Sequence, residues 1–436
     1  MSRGLGLPAV MAAVVGVAEA AAAMLRPRDV GPGPVPAEAR DYFSAAELGK
    51  ARRYRAGQRR LSAAAGAIEL AVVVAAVRRP PRVGRPPGRA AAIRRPAPTG
   101  RTAALTAAIR RPAPTGRRPE LVGALTAAGL AAATTAAGLP ARAAARERSR
   151  RVGLVTQSWA GWAGDVAKAT AIGSALAAGG GAALELLRGR FGRDWWAPGA
   201  GLAAGWAVVF STAAPVLLDP LFNRFTVMPE GDTRADVLAL AAASGVDVGE
   251  VYEIDASRRT TGANAYVTGL GATKRVVLFD TLLRDFTAAE VRFVIAHELA
   301  HVRFRDVRRG LAWLALTMPA ALFAVARLAE RLHPPDATAV PATALALGLV
   351  ATPVGIIGNQ LSRAIERRAD HYALGLTGEP GQLVDFERRI CVKNVIEPRP
   401  PAWERALLAT HPDTMERIGR ALATDPDRAR GSRAGA

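Results

Sequence analysis

Two histidines and a glutamate in the pentapeptide HELAH have the types and the spacing needed to hold a metal ion and activate water. His297 and His301 are four residues apart, so on a helix both imidazoles project from one face and can bind a single zinc ion. Glu298 lies one step round the helix, beside the metal rather than bound to it. A carboxylate there can take a proton from zinc-bound water and later deliver it to a leaving amine. The pattern is typical of metal-dependent peptide hydrolysis.

A third protein ligand is expected, because a catalytic zinc keeps an open position for water beside its protein ligands. The segment NQLSRAIERRADHYAL offers Glu366 and Asp370, which are four residues apart and would share a helical face. We predict that Glu366 completes the ligand set with His297 and His301, for one Zn²⁺ per chain. Asp370 would accept a hydrogen bond from a ligand imidazole and orient it. An exposed, arginine-rich amphipathic helix is the alternative for this segment.

The composition indicates a membrane protein. Of the 436 residues, 50% are hydrophobic but only 5% are aromatic, and the mean hydropathy is +0.12. Small apolar residues suit close packing between membrane helices. A single cysteine, Cys391, excludes an intramolecular disulfide and a thiolate zinc cluster. The net charge of +21 comes mainly from residues between apolar segments, which favours anionic lipid headgroups over nucleic acid as a partner.

Seven stretches are long and apolar enough to cross a bilayer, which takes roughly 17 to 25 residues. They are Leu5–Leu25, Leu61–Val77, Glu120–Leu139, Val166–Leu187, Trp196–Leu218, Gly310–Ala329 and Ala339–Gly358. The first could instead be a cleaved signal peptide, since Arg3 precedes it and it contains small residues at Ala20 and Ala22, but we favour a retained helix. The last two spans separate His301 from Glu366. Because two spans return the chain to the same side, the distant ligands can meet.

The chain between residues 219 and 309 is polar enough to lie outside the membrane. Its patterns predict a helix followed by three strands, at Thr233–Ala243, Val251–Ile254, Asn264–Thr268 and Arg275–Phe279. The last two strands would form a hairpin through the Gly269–Thr273 turn. Thr287 followed by Glu290 matches the capping box that begins a helix, here the one that carries HELAH.

Taken together, these motifs resemble the type I CAAX prenyl endopeptidases, integral-membrane zinc proteases with seven helices around a large chamber. The resemblance extends over most of the chain and rests on FSAAELGKARRYR, WAGWAGDVAKA, DPLFNRFT, SRRTTGANAYVTGLGATKRVVLFDTLL, HELAH, SRAIERRAD and THPDTMERI. It implies zinc on His297, His301 and Glu366, with Glu298 activating water and Asp370 supporting the ligands.

The resemblance adds three residues to the candidate site. It implies that Asn264 lies along an edge where an extended substrate pairs as an added strand, and that His411 stabilises the oxyanion or the substrate carbonyl. Arg417 would contribute to substrate binding and fix the C-terminal segment. Asn264 could instead be a strand residue beside a turn, and His411 a residue at a helix N-terminus. Gly262 and Ala263 stand where eukaryotic members tend to have His and Ser, so peptide cleavage is better supported than CAAX specificity.

We therefore predict a mostly α-helical fold: a polytopic seven-helix membrane bundle with a small α+β zinc-protease portion of the gluzincin type. Four parts are expected: an N-terminal membrane region with five spans, a catalytic portion with the edge strand and HExxH helix, a transmembrane hairpin, and a C-terminal portion with the third ligand. They cover residues 1–218, 219–309, 310–359 and 360–436. The predicted function is hydrolysis of membrane-associated or prenylated polypeptides.

Two alternatives remain. A heat-shock-type membrane quality-control protease shares HExxH and the downstream glutamate but usually has about four spans. A catalytically inactive, zinc-binding membrane scaffold would have no need of Glu298.

The basic connections predict the orientation. The first connection, the segment Arg142–Arg151 and the C-terminal tail would be cytoplasmic, together with the catalytic portion, in a bacterial plasma membrane. The basic loop Arg78–Arg118, which contains AAIRRPAPTGR twice, would then lie outside, against the positive-inside trend. Two copies are too few to build a stacked repeat, so this segment is predicted to be a loop.

Overall fold

The computed structural model of this chain describes residues 6–81, 118–268, 274–334 and 337–425. Over these ranges the protein is mostly α-helical, as predicted, with seven helices long and apolar enough to cross a bilayer and one small sheet. Two sequence features lie outside the described residues: the duplicated arginine- and proline-rich segment and the turn predicted at Gly269–Thr273.

The helices of the described residues are numbered here in chain order. They are α1 (Leu7–Leu25), α2 (Ala45–Arg78), α3 (Pro119–Arg151), α4 (Trp159–Phe191), α5 (Trp196–Leu217), α6 (Asp232–Ala243), α7 (Asp280–Asp285), α8 (Ala288–Arg303), α9 (Asp306–Leu332), α10 (Val340–Thr377), α11 (Pro380–Lys393), α12 (Ala402–Leu407) and α13 (Thr414–Thr424). Helices α1 to α5, α9 and α10 are the candidate membrane helices. Each coincides with one of the seven predicted spans.

Helix α10 connects the membrane region directly to the soluble portion. It has 38 residues and is therefore about 57 Å long, whereas the hydrocarbon core of a bilayer is only about 30 Å thick. Its first half is the predicted seventh span, and the helix continues without a break through Glu366 and Asp370. The boundary predicted between residues 359 and 360 thus falls inside one helix. The boundary between residues 309 and 310 likewise falls inside α9.

The soluble portion contains a four-stranded sheet with the order β1-β2-β4-β3. The strands are β1 (Phe225–Val227), β2 (Glu250–Ile254), β3 (Ala265–Thr268) and β4 (Arg275–Phe279). The central pair β2 and β4 is parallel, and β3 pairs antiparallel with β4, as the predicted hairpin requires. Strand β1 was not predicted, because three residues are too few to show an alternating pattern. Strand β3 lies at the edge of the sheet and packs against α8.

Helix α8 is fixed at its N-terminus and along one face. At the start, the Thr287 hydroxyl accepts a hydrogen bond from the Glu290 amide at 3.3 Å, and the Glu290 carboxylate accepts one from the Thr287 amide at 2.7 Å. This is the predicted capping box. Phe293 and Leu299 are fully buried in the core that α8 shares with the sheet. Rotation of α8 would expose these side chains, so the direction in which HELAH projects is set by packing.

Helices α3 and α4 approach each other closely at two glycines. A β-carbon added at Gly181 would overlap the carbonyl oxygen of Gly123 and the methyl group of Ala127. Small residues permit such backbone contact between membrane helices, where dispersion forces and not the hydrophobic effect hold the helices together.

Replacing Gly181 by alanine should therefore destabilise the protein by roughly 1 to 3 kcal/mol, the usual cost of overpacking. The matched control is Gly180→Ala, because a β-carbon at Gly180 meets no atom within 4 Å. Thermal unfolding of both variants in the same detergent measures the effect. Equal unfolding midpoints for the two variants would contradict the proposed helix contact.

Candidate metal centre

The three predicted metal ligands lie together at the junction of α8 and α10. One ligand atom each from His297, His301 and Glu366 lies within 4.8 Å of the other two. The Nε2 atom of His297 is 3.2 Å from Glu366 Oε2 and 3.2 Å from Nε2 of His301, which in turn is 3.7 Å from Glu366 Oε1. The two imidazole planes are nearly perpendicular, at 85°. These atoms form a donor set of two nitrogens and one carboxylate.

This donor set fits a divalent metal ion. Tetrahedral zinc with bonds of about 2.0 to 2.1 Å places its ligand atoms roughly 3.3 Å apart, close to the separations seen here. The Nδ1 atoms of both histidines contact carboxylates, which favours a tautomer with a lone pair on each Nε2. Two such lone pairs and a carboxylate repel one another at this distance unless a cation lies between them. Two imidazoles and one carboxylate are a ligand set that suits zinc.

Asp370 and Arg417 hold the first imidazole. Nδ1 of His297 lies 2.9 Å from Asp370, whose side chain is 1% exposed. Arg417, on α13, donates to both Asp370 oxygens at 2.8 and 2.6 Å and also pairs with Glu387. Burial raises the pKa of Glu387, an effect that the Arg417 charge opposes. All three guanidinium nitrogens of Arg417 are thus engaged, which favours a positioning role over the predicted contact with substrate.

Asp306 holds the second imidazole in the same way, and sequence reasoning missed it. Its Oδ2 atom lies 3.1 Å from Nδ1 of His301, while Arg309 and Arg368 pair with its other oxygen. His301 and Asp306 are five residues apart, a spacing that would place them on different faces of one helix. Helix α8 ends at Arg303, however, and Arg305 adopts a left-handed conformation (φ 55°) that starts α9 in a new direction. The sequence feature that could have identified Asp306 is the presence of a carboxylate shortly after the HExxH motif.

Glu298 faces a cavity of about 500 Å³ whose wall also includes His297, Asn264 and His411. In the described part of the chain, no side chain forms a hydrogen bond or ion pair with the Glu298 carboxylate. Burial raises the pKa of Glu298, whereas the nearby imidazoles His297 and His301 lower it. A carboxylate with a raised pKa that remains open to a cavity is suited to accept a proton and return it.

His411 and Asn264 both line the same cavity. Nε2 of His411 lies 3.4 Å from Glu366, and the side chain is 65% exposed. Asn264 is exposed and stands immediately before β3, one position outside the strand that was predicted to include it. Its carbonyl oxygen accepts a hydrogen bond from the Phe279 amide at 3.2 Å. Within the described ranges the outer edge of β3 pairs with no strand, so it is free to pair with an extended peptide.

Comparison with known proteins shows which family the portion that contains this site resembles. Residues 228–425, which contain the whole donor set, match Peptidase family M48. The "Uncharacterized metalloprotease YhfN" of Bacillus subtilis is 30% identical over 242 residues, which are 52% of this chain and 56% of that protein. The "CAAX prenyl protease 1 homolog" of Oryza sativa is 29% identical over 224 residues, which are 49% of this chain and 52% of the relative. The chain thus spans about half the length of these curated relatives.

A solved structure is similar over nearly the whole chain. The crystal structure of Ste24p from S. mikatae superposes with a TM-score of 0.72 and covers 95% of this chain and 98% of that one, at 19% identity. At this identity the likeness shows the fold. Together with the seven apolar helices it identifies a multi-pass membrane protein.

Replacing Asp306 by asparagine should weaken zinc binding by roughly 10- to 100-fold, because His301 loses the carboxylate that orients its ring. Competition with a chromophoric chelator measures the affinity, and tryptophan fluorescence checks that the variant remains folded. Asp285→Asn is the control, since Asp285 pairs with Arg284 and Lys393 away from the metal ligands. Unchanged zinc affinity in a folded Asp306→Asn protein would contradict the orienting role.

Proposed function

We propose that this chain is a member of the CAAX prenyl endopeptidase family of M48 peptidases and acts as a membrane-embedded zinc metalloendopeptidase that cleaves membrane-associated polypeptides, which the M48 match and the named relatives support. The observation that carries the proposal is the position of Glu298, an unpaired carboxylate that lines a cavity beside the donor set of His297, His301 and Glu366. A metal bound there would polarise the substrate carbonyl and make water more acidic. A site that served folding alone would not need a free base at its open side.

Different residues of the chain would have different roles in the reaction. Glu298 takes the proton of the attacking water and later returns it to the leaving amine. His411, which lines the same cavity and lies 3.4 Å from Glu366, donates a hydrogen bond to the oxyanion that develops on the carbonyl. Asp370 and Asp306 keep the two ligand imidazoles in the orientation in which their Nε2 atoms converge.

The substrate would bind as an extended strand along β3. The free edge of β3 offers backbone groups for pairing, and Asn264 stands at its start, on the cavity wall. Relatives named as CAAX prenyl proteases make prenylated polypeptides one candidate class of substrate. The alternative of a heat-shock-type protease is disfavoured by seven apolar helices and a fold likeness that covers 95% of the chain.

Replacing Glu298 by glutamine should lower kcat by at least about 100-fold, since the amide cannot accept the proton of water. Zinc content should stay at one ion per chain, because Glu298 is not a ligand. Cleavage of a fluorogenic peptide and elemental analysis of the same samples measure both effects. Glu230→Gln, an exposed residue away from this cavity, is the control and should behave as wild type. Retained turnover in the Glu298→Gln protein would rule out Glu298 as the base.

The catalytic portion would face the cytoplasm of a bacterial plasma membrane. Arg59 on α2 pairs with Glu397 and Glu404 of the C-terminal portion, and Tyr54 contacts Ser149 at the end of α3. The basic ends of α2 and α3 therefore lie on the same side as the metal centre. Positively charged connections favour the cytoplasmic side, where they also meet anionic lipid headgroups.

Thiol labelling tests this orientation, because the native Cys391 is buried and supplies little background. A cysteine placed at Asp194, whose side chain is 81% exposed between α4 and α5, should react with an impermeant maleimide in intact spheroplasts. A cysteine placed at Glu230, in the soluble portion, should react only after the membrane is permeabilised. The reverse result would place the catalytic portion outside the cell.

A further inference from the structure

Arg55 stands apart among the charged residues of the catalytic cavity. It lies on the basic, membrane-distal half of α2 and forms part of the wall that also contains Asn264 and Glu298. In the part of the chain that the structure describes, no hydrogen bond or ion pair engages its guanidinium group. Its neighbours Arg52 and Arg53 on the same helix are exposed and do not line the cavity. Arg55 is therefore a cation of the cavity wall that has no partner among the described residues.

The other charged side chains of the wall, apart from Glu298, are already paired. Arg417 pairs with Glu387, and Arg405 pairs with Asp413 at 3.0 Å. Glu397 and Glu404, also in the wall, both pair with Arg59 at 2.8 and 2.9 Å. Two charges of the described cavity wall thus remain uncommitted. One is Glu298, the base of the proposed reaction, and the other is the cation Arg55.

We propose that Arg55 binds a carboxylate of the peptide substrate and thereby sets the specificity of the site. A planar guanidinium group binds a carboxylate through two parallel hydrogen bonds, which fixes direction as well as position. The attraction is stronger in a partly enclosed cavity than at an open surface, because less water screens it. The other two arginines of the described wall, Arg405 and Arg417, already pair with carboxylates, so Arg55 is the arginine left for a carboxylate of the substrate.

A peptide offers carboxylates at two places, its free C-terminus and its Asp or Glu side chains. Both present the same chemistry to Arg55, so the substrates used in the test must separate them. This inference rests on the proposed function, since it assigns a substrate class to the same cavity.

Four fluorogenic peptides that differ only at their C-terminus and at one internal position test the proposal on the full-length, zinc-loaded protein. They carry a free C-terminus or a C-terminal amide, each combined with a glutamate or a glutamine at a single internal position. Wild-type protein should show a KM at least about tenfold lower for the peptides that carry the recognised carboxylate, the effect expected of a charge-assisted hydrogen bond. The peptide that shows the preference identifies the source of the carboxylate.

The Arg55→Gln variant should lose this preference by raising the KM of the acidic peptide alone. The amide peptide that lacks a carboxylate should keep its wild-type kcat and KM, which also shows that the variant is folded. Arg55→Lys should restore part of the preference because it keeps the charge but not the planar fork. Arg52→Gln, which removes an exposed charge from the same helix, is the matched control and should leave the preference intact.

Three outcomes would overturn the proposal: no preference in the wild type, a preference that survives in Arg55→Gln, or an equal loss in Arg52→Gln. Equilibrium binding of labelled peptides to the Glu298→Gln protein separates this proposal from the proposed function. If acidic peptides bind more tightly through Arg55 but no peptide is cleaved by the wild type, the proposed function fails and the role of Arg55 stands. If cleavage occurs without any Arg55-dependent preference, the role of Arg55 fails and the proposed function stands.

Discussion

The contact between each ligand imidazole and a buried carboxylate is the interaction on which the site depends. Asp370 and Asp306 hold Nδ1 of His297 and His301, so the two Nε2 atoms converge on Glu366. Such carboxylates are stable in the interior only because guanidinium groups compensate their charge. The ion pairs behind the imidazoles are therefore part of the metal centre, although they lie too far back to touch substrate.

This arrangement links the membrane region to the chemistry. The candidate third ligand, the carboxylate Glu366, and the orienting Asp370 both lie on α10, which is also a candidate membrane helix. Asp306 begins α9, the preceding candidate span. The two helices that return the chain across the bilayer thus carry residues of the candidate site on the parts that extend beyond their predicted spans. A shift of either helix would move a ligand or its support, so the packing of the membrane helices and the geometry of the donor set are coupled through rigid helical segments.

The charged side chains of the described cavity wall fall into a paired group and an unpaired group. Most acidic and basic side chains of its described wall neutralise one another, which stabilises the loops of the C-terminal portion around the site. Glu298 and Arg55 are left free to act on molecules that enter. The free edge of β3 runs beside them and offers backbone hydrogen bonds of no particular sequence preference. In the reaction proposed above, the base, the edge that aligns the substrate and the cation that selects it would be different parts of one cavity wall.

The sequence by itself determined the local features of this protein. Apolar length predicted all seven membrane helices, alternation predicted three of the four strands, and the HELAH spacing together with Glu366 and Asp370 pointed to the metal centre. These features follow from helical or strand periodicity, which is a property of short segments. The structure alone decided that Asp306 returns to His301 after a change of helix direction, and that the other charged side chains of the described cavity wall, apart from Glu298, are paired and leave Arg55 without a partner among them. The first depends on the break between two helices at Arg305, and the second on contacts between residues far apart in the chain, so neither follows from a periodic pattern.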